Sequence, residues 1–292
     1  MDSVLDIILS SIRLATPLWF AAMGGLLAER SGVVNLALEG LMLIGAFAGA
    51  AVAYNMGSPV LGFVAAGAAG ALLALLFGFF TLTLKGDQVV IGMGINLLST
   101  GLTPFLNKYF FQVTSSTPSL SIDQRFVYGP TLFALGLIAA VSLWLRHSVS
   151  GLWVRVAGEH PAALASAGIR VKRVRWASVI LSGVFAGFGG ATMATMLASS
   201  FSRQMTAGTG FMAIAALILG RWAPIPTALG CFLFGLTDSI QIRLQGQLTG
   251  ADSAWLLQLI QLAPYIVTLC VLAGAIRSAN APKALGESGN GH

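Results

Sequence analysis

Charged side chains are scarce in this chain: 16 Lys and Arg and 10 Asp and Glu among 292 residues amount to 9%, where soluble globular domains carry about 25%. With 56% hydrophobic residues and a mean hydropathy of +0.84, that scarcity excludes a soluble domain and implies a polytopic membrane protein. Cysteine is nearly absent as well. Cys231 and Cys270 both lie in apolar runs, and neither stands at metal-ligand spacing to the other or to His147, His160 or His292, so no disulfide and no metal site is expected. No Gly-Lys dipeptide occurs, which removes the phosphate-cradling loop of ATP-hydrolysing chains, and there is no Gly-x-Ser-x-Gly elbow and no His-Glu-x-x-His pair. No catalytic residue and no bound cofactor are therefore expected in this chain. The N-terminus lacks the positive segment of a secretory leader, so no cleavage is expected.

What the chain does have is apolar runs near the 20 residues that a spanning helix needs. They fall near 4-28, 33-54, 59-84, 88-110, 130-146, 175-198, 208-222, 226-243 and 254-276. The fold class expected is an all-α bundle of about nine transmembrane helices, with eight and ten as alternatives. The uncharged stretch from Gly40 to Leu84 is long enough for two spans and breaks most naturally at Asn55-Met-Gly-Ser-Pro59. Pro224 and Pro226 leave open whether 208-222 and 226-243 are two helices or one broken helix. Gly45-xxx-Gly49 and Gly183-xxx-Gly187 are expected to let helix backbones approach closely.

The net charge of +6 would suggest nucleic acid in a soluble protein, but its distribution follows loops instead. Arg146, Arg155, Arg170, Lys172, Arg173 and Arg175 crowd one polar stretch, whereas 126-145 and 176-202 carry no charge at all. With the N-terminus outside, Arg30, Lys85, Arg277, Arg221 and Lys283 join these six on the cytoplasmic side, against Lys108, Arg125, Arg203 and Arg243 outside. The expectation is an N-out, C-in single membrane domain over 1-277, with a basic cytoplasmic loop at 147-174, an outer polar loop at 112-125 and a disordered cytoplasmic tail at 278-292. Inside the basic loop, Pro161 opens and Gly168 closes a short alanine-rich helix. On residues alone such a helix is a connector.

Two stretches change that reading. Gly158-Glu-His-Pro-Ala-Ala-Leu-Ala-Ser-Ala-Gly-Ile169 resembles the coupling loop of bacterial ABC-importer permeases of the branched-chain amino acid, ribose and nucleoside class, with His160 where asparagine is usual. Glu29-Arg-Ser-Gly-Val-Val-Asn-Leu-Ala-Leu-Glu-Gly-Leu-Met42 resembles the N-terminal signature of the same family, with Ala37 for a common glycine and Leu41 for methionine. Gly208-Thr-Gly-Phe-Met-Ala-Ile-Ala-Ala-Leu-Ile-Leu-Gly-Arg-Trp222 and Gln261-Leu-Ala-Pro-Tyr265 extend the likeness over roughly 20-276, and the resemblance is strongest to the smaller of the two permeases in nucleoside and simple-sugar importers.

The resemblance implies a bacterial plasma-membrane permease for a nucleoside or simple sugar. It implies three protein partners: an ATPase subunit that binds the ATP, a second, non-identical permease, and an extracytoplasmic binding protein or lipoprotein. It also implies ATPase coupling through Gly158, Glu159, His160, Pro161, Ala162, Ala163, Ala167 and Gly168. Apart from membrane lipid no other partner is expected, and nucleic acid is excluded. Residues that could line a path are Asn35 and Glu39, read as four apart on a helix beginning near Val33, together with Asn96, Ser99 and Asp238. Each could equally be a structural hydrogen-bonding group. An ion-coupled secondary transporter, relying on Glu39 and Asp238, is the alternative function.

Overall fold

A computed structural model describes residues 2–247 and 281–287. Over these residues the chain is helical, with strand-like pairing limited to one isolated bridge between Ser116 and Ser202. The helices are α1 (Asp2–Arg30), α2 (Leu38–Met56), α3 (Pro59–Gly78), α4 (Gln88–Phe111), α5 (Gly129–His147), α6 (Val149–Glu159), α7 (Pro161–Ser166), α8 (Val171–Thr192), α9 (Thr209–Leu219) and α10 (Pro224–Gln247). Single π-helical turns, Phe79–Thr83 and Met193–Leu197, extend α3 and α8. Seven of the helices are long and apolar enough to cross a membrane. The expected run at 254-276 and the Gln261–Tyr265 motif lie outside the described residues.

Local chemistry sets the helix ends. The break expected at 55-59 is present: Gly57 takes φ 65°, Ser58 caps α3, and Pro59 occupies its first turn. Asp87 starts α4 by accepting from the Val89 and Val90 amides at 2.9 Å each. The helix expected from Val33 is corrected. Gly32 adopts φ 93°, and the Asn35 side-chain oxygen accepts from the Ala37 amide, so 33-37 turns without helix and α2 begins only at Leu38. Asn35 and Glu39 therefore share no helix face.

Close approach builds the centre of the bundle. α8 packs against α1, α2 and α3. A Cβ at Gly45 would lie 2.5 Å from the Gly187 Cα, Gly49 faces Ala191, and Gly183 meets Gly70 backbone to backbone. Phe188 stacks on Phe63 at 4.4 Å between ring centroids, with Phe20 and Phe133 edge-on around them.

The run at 208-222 departs from a spanning helix. α9 has 11 residues, about 16 Å of helix against about 30 Å of hydrocarbon. Before it the chain is not helical, and at one end of the bundle it is held by the 112-125 loop: Phe201 N donates to Thr117 Oγ1 and Arg203 N to the Ser115 carbonyl. After α9, Trp222 lies at the opposite end of the bundle, against Glu29 and Arg30. The stretch 198-222 thus traverses the bundle as a non-helical, turn-rich half and a helical half. α10 then runs antiparallel to α1, with the Trp19 indole donating to Ala228 O and Ser239 Oγ to Ile7 O.

Two further departures concern the Arg30 end. Residues 149-159, expected as loop, form α6, which Ser148 caps by accepting from Gly151 N. Residues 281-287, assigned above to a disordered tail, are ordered: Ala284 N donates to Gly158 O at 2.8 Å and Gly286 N to Gly32 O at 3.1 Å. Pro282 and Ala284 are buried there, which supplies the packing that a polar tail by itself lacks.

Candidate functional site

The N-terminus of α9 lies inside the bundle, where its first amide groups need acceptors from outside the helix, since the first four N–H groups of any helix lack intrahelical ones. Glu39, in the first turn of α2, meets them: Oε1 accepts from Gly208 N at 2.8 Å and Oε2 from Gly210 N at 2.7 Å. Gly208 has φ 89°, a conformation open to glycine at no steric cost. The carboxylate satisfies two donors and offsets the positive end of the α9 dipole. Asn96 of α4 does the same for α2, accepting from Gly40 N and donating to Leu36 O, both at 2.8 Å.

Beside these groups is a half-open cavity of ≈ 260 Å³ lined by Glu39, Asn96, Thr100, Gln204 and Thr206, with Gly40, Leu43 and Ala207. Gln204 and Ala207 both have positive φ, 57° and 42°. Such strain persists only where surrounding contacts hold it, and it concentrates at binding and switching sites. Non-helical backbone at membrane depth is tolerated only when it is buried in protein or lines an aqueous cavity.

The second cluster sits where α1 ends. The Trp222 indole donates to Glu29 Oε2 at 2.5 Å, Arg30 Nε donates to Trp222 O at 2.7 Å, and Arg30 also pairs with Glu159 at 3.6 Å. Gly158 is pressed against the Arg30 carbonyl, leaving no room for a side chain. Arg175, buried at the start of α8, donates to the Ser31 and Glu287 carbonyls at 3.1 Å each. The end of α1, the C-terminal end of α9, the α6–α7 junction, the start of α8 and residues 281-287 therefore meet at one place. α7 hangs from it by a single buried side chain, Leu164, while Ala162, Ala163, Ala165 and Ala167 are exposed.

The family model described as branched-chain amino acid transport system / permease component matches residues 7–272. The chain belongs to this permease family. It is 35% identical to the guanosine ABC transporter permease protein NupQ of Bacillus subtilis, with 97% of this chain and 96% of that protein aligned. It is also 35% identical to the nucleoside ABC transporter permease protein NupC of Lactococcus lactis, over the same shares of the two chains. Its fold resembles that of a metal-chelate type ABC transporter solved in an inward-facing conformation, with a TM-score of 0.52 and 18% identity over 92% of this chain and 83% of that one. The protein is thus a multi-pass permease subunit of an ATP-binding-cassette transporter.

Within this permease the polar residues singled out in the sequence part company. Glu39 and Asn96 line the cavity. Asn35 is fully buried, donating to Ser182 Oγ at 2.8 Å, and Ser99 donates back to Ile95 O inside α4. Asp238 is on α10 beside Ser239 and is not among the cavity's lining residues. Thr100, Gln204 and Thr206 escaped the sequence reading. The signal available was the polar run Ser202-Arg-Gln-Met-Thr-Ala-Gly208 between two apolar stretches, which reads equally well as an ordinary loop.

Proposed function

We propose that this permease lines, together with a second, non-identical permease subunit, the path by which a nucleoside enters a bacterial cell, with ATP hydrolysed by a separate subunit. The observation that carries this reading is the unwound stretch before α9, whose strained residues Gln204 and Ala207 line a half-open polar cavity within the bundle. Transporters commonly bind substrate near the membrane midplane at interrupted helices, where backbone and polar side chains face water. The cavity offers amide and hydroxyl groups suited to an uncharged, hydroxylated solute, and the names of the guanosine and nucleoside permeases point to the same class. Its open side is where the partner permease completes the path. Both Glu39 oxygens are occupied by amide donors, so the carboxylate serves α9 and leaves little capacity for ion coupling.

The N-terminus is outside and the Arg30 end cytoplasmic, in line with the basic residues gathered there. The exposed small residues of α7, with Gly158 to Pro161 leading into it and Gly168 closing it, dock the ATPase. Movement of α7 passes through the Glu159–Arg30 pair and Trp222 to α9, and so to the cavity. An extracytoplasmic binding protein delivers the substrate to the opposite face.

Uptake of labelled guanosine by cells expressing the whole transporter tests this, with pentoses and hexoses as competitors. Gln204→Ala should lower uptake severalfold at unchanged permease yield, and Ala163→Trp should abolish uptake with loss of the co-purifying ATPase. Uptake competed by sugars and not by nucleosides refutes the substrate class. Normal uptake in both variants refutes the site assignments.

A further inference from the structure

Residues 281-287 close one side of a concave surface. Ala284 N binds the Gly158 carbonyl, Gly286 N binds the Gly32 carbonyl, and the Glu287 carbonyl accepts from buried Arg175. Leu285 packs onto the apolar cluster that contains Leu26, Leu27 and Trp222. Ordering seven residues at a protein's edge costs backbone entropy, and here three main-chain hydrogen bonds and the burial of Pro282 and Ala284 offset it. The side chains of Lys283 and Glu287 stay exposed. Between them and residues 159-163 lies a cavity of ≈ 460 Å³, its floor made by Ala284.

A six-residue helix such as α7 is about 9 Å long and about 10–12 Å wide, so its outward face offers on the order of 100 Å². A stable protein interface buries about 800 Å² on each partner. α7 alone is too small, and the surface continuous with it is the segment 281-287. Across the cavity Glu159 stands on one wall, with Lys283 and Glu287 on the other, so the rim carries charge of both signs around a floor of small residues. That arrangement suits a folded protein surface bearing complementary charges, because rim charges steer and register while small residues admit close approach.

Resting on the reading that α7 docks the ATPase, we propose that the docking face is composite: residues 281-287 form its second wall, and Lys283 and Glu287 contact the ATPase directly. The segment thereby ties the docked partner to the start of α8 and to the end of α1, as well as to α6.

The test uses the assembled transporter, with a photoreactive residue placed at Lys283 or at Ala163 in separate preparations. Illumination should yield adducts with the ATPase from both positions. The double variant Lys283→Glu, Glu287→Lys should retain about fivefold less ATPase through purification at low salt, the scale of two weak rim pairs. Both side chains are exposed, but Glu287 also faces buried Arg175, so Lys283→Glu alone, which leaves that pair in place, should lose ATPase in the same direction at unchanged permease yield. An adduct from Ala163 alone, or full ATPase retention by the double variant, overturns the composite face and leaves docking on α7 intact. An absence of adducts from either position overturns the docking reading itself, and this proposal with it.

Discussion

Replacing Glu39 by Gln removes one atom's worth of chemistry from the point where α2 holds α9. The carboxylate accepts from Gly208 N and Gly210 N with one oxygen each. Gln keeps a single acceptor oxygen and turns its NH₂ toward the other amide donor, so one hydrogen bond is lost and two donors face each other. A hydrogen bond to a charged group contributes about 1.5–3 kcal/mol, and an anion at a partly buried helix N-terminus up to about 2 kcal/mol more. The expected loss is about 2–4 kcal/mol, or a fall of roughly 3–7 °C in the melting temperature of a chain this size. Thermal denaturation of the purified transporter, followed by tryptophan fluorescence, reads it directly. Glu39→Asp should fare little better, because a side chain one methylene shorter cannot span both amides. The argument fails if Glu39→Gln melts at the parental temperature while uptake collapses, since the carboxylate would then be acting on substrate and not on α9.

Three other outcomes follow from the packing. Trp222→Phe removes the indole donor to Glu29 and leaves a buried carboxylate oxygen without its partner, so the melting temperature should drop by an amount equivalent to about 2–4 kcal/mol; an unchanged melt would show that the Glu29 contact is dispensable. Gly45→Ala should prevent proper assembly, because its Cβ would press on Gly187, whereas Gly94→Ala, which meets nothing within 4 Å, should be silent; equal size-exclusion profiles for the two would undo the packing argument. A cysteine introduced at Ser116 should react with an impermeant thiol reagent added outside intact cells and one at Ala163 should not, and labelling of Ala163 from outside would reverse the orientation and remove α7 from the ATPase's reach.

What was legible in the sequence was what local chemistry decides. Gly57, Ser58 and Pro59 separate α2 from α3 whatever surrounds them, and Pro161 begins α7 for the same reason. The spacing of Gly45, Gly183 and Gly187 announced close packing because nothing larger fits. Long-range bonds decided the rest. Residues 33-37 are apolar enough to continue a helix, but Val34 N is taken by the Gln88 side chain and Asn35 by Ser182, partners 54 and 147 residues away. The half-length of α9 was hidden because an apolar run has the same composition whether it crosses the whole membrane or half of it. The docking of 281-287 depends on main-chain acceptors at Gly32 and Gly158, and carbonyl groups leave no trace in a sequence.

A helix of half-membrane length is the element best placed to join the two clusters. A full span is gripped along its length by neighbours, so displacing it disturbs many contacts at once. α9 sets only Ala213, Ile214, Ala215, Ala216 and Leu217 in the apolar core, and its polar ties lie at its ends, Glu39 at the cavity and Trp222 at the Glu29–Arg30 junction. Its 11 residues keep their own hydrogen bonds through any rigid movement, while the non-helical chain before Gly208 can absorb the change in φ and ψ that such movement requires. The Glu159–Arg30 pair then matters less for the energy it adds than for the direction it sets, because it is the charged contact that ties the segment leading into α7 to the last turn of α1. Each end of α9 carries two hydrogen bonds, the Gly208 and Gly210 amides to Glu39 at one and Trp222 to Glu29 and Arg30 at the other, so under the proposed coupling a shift at either end reaches the other through α9.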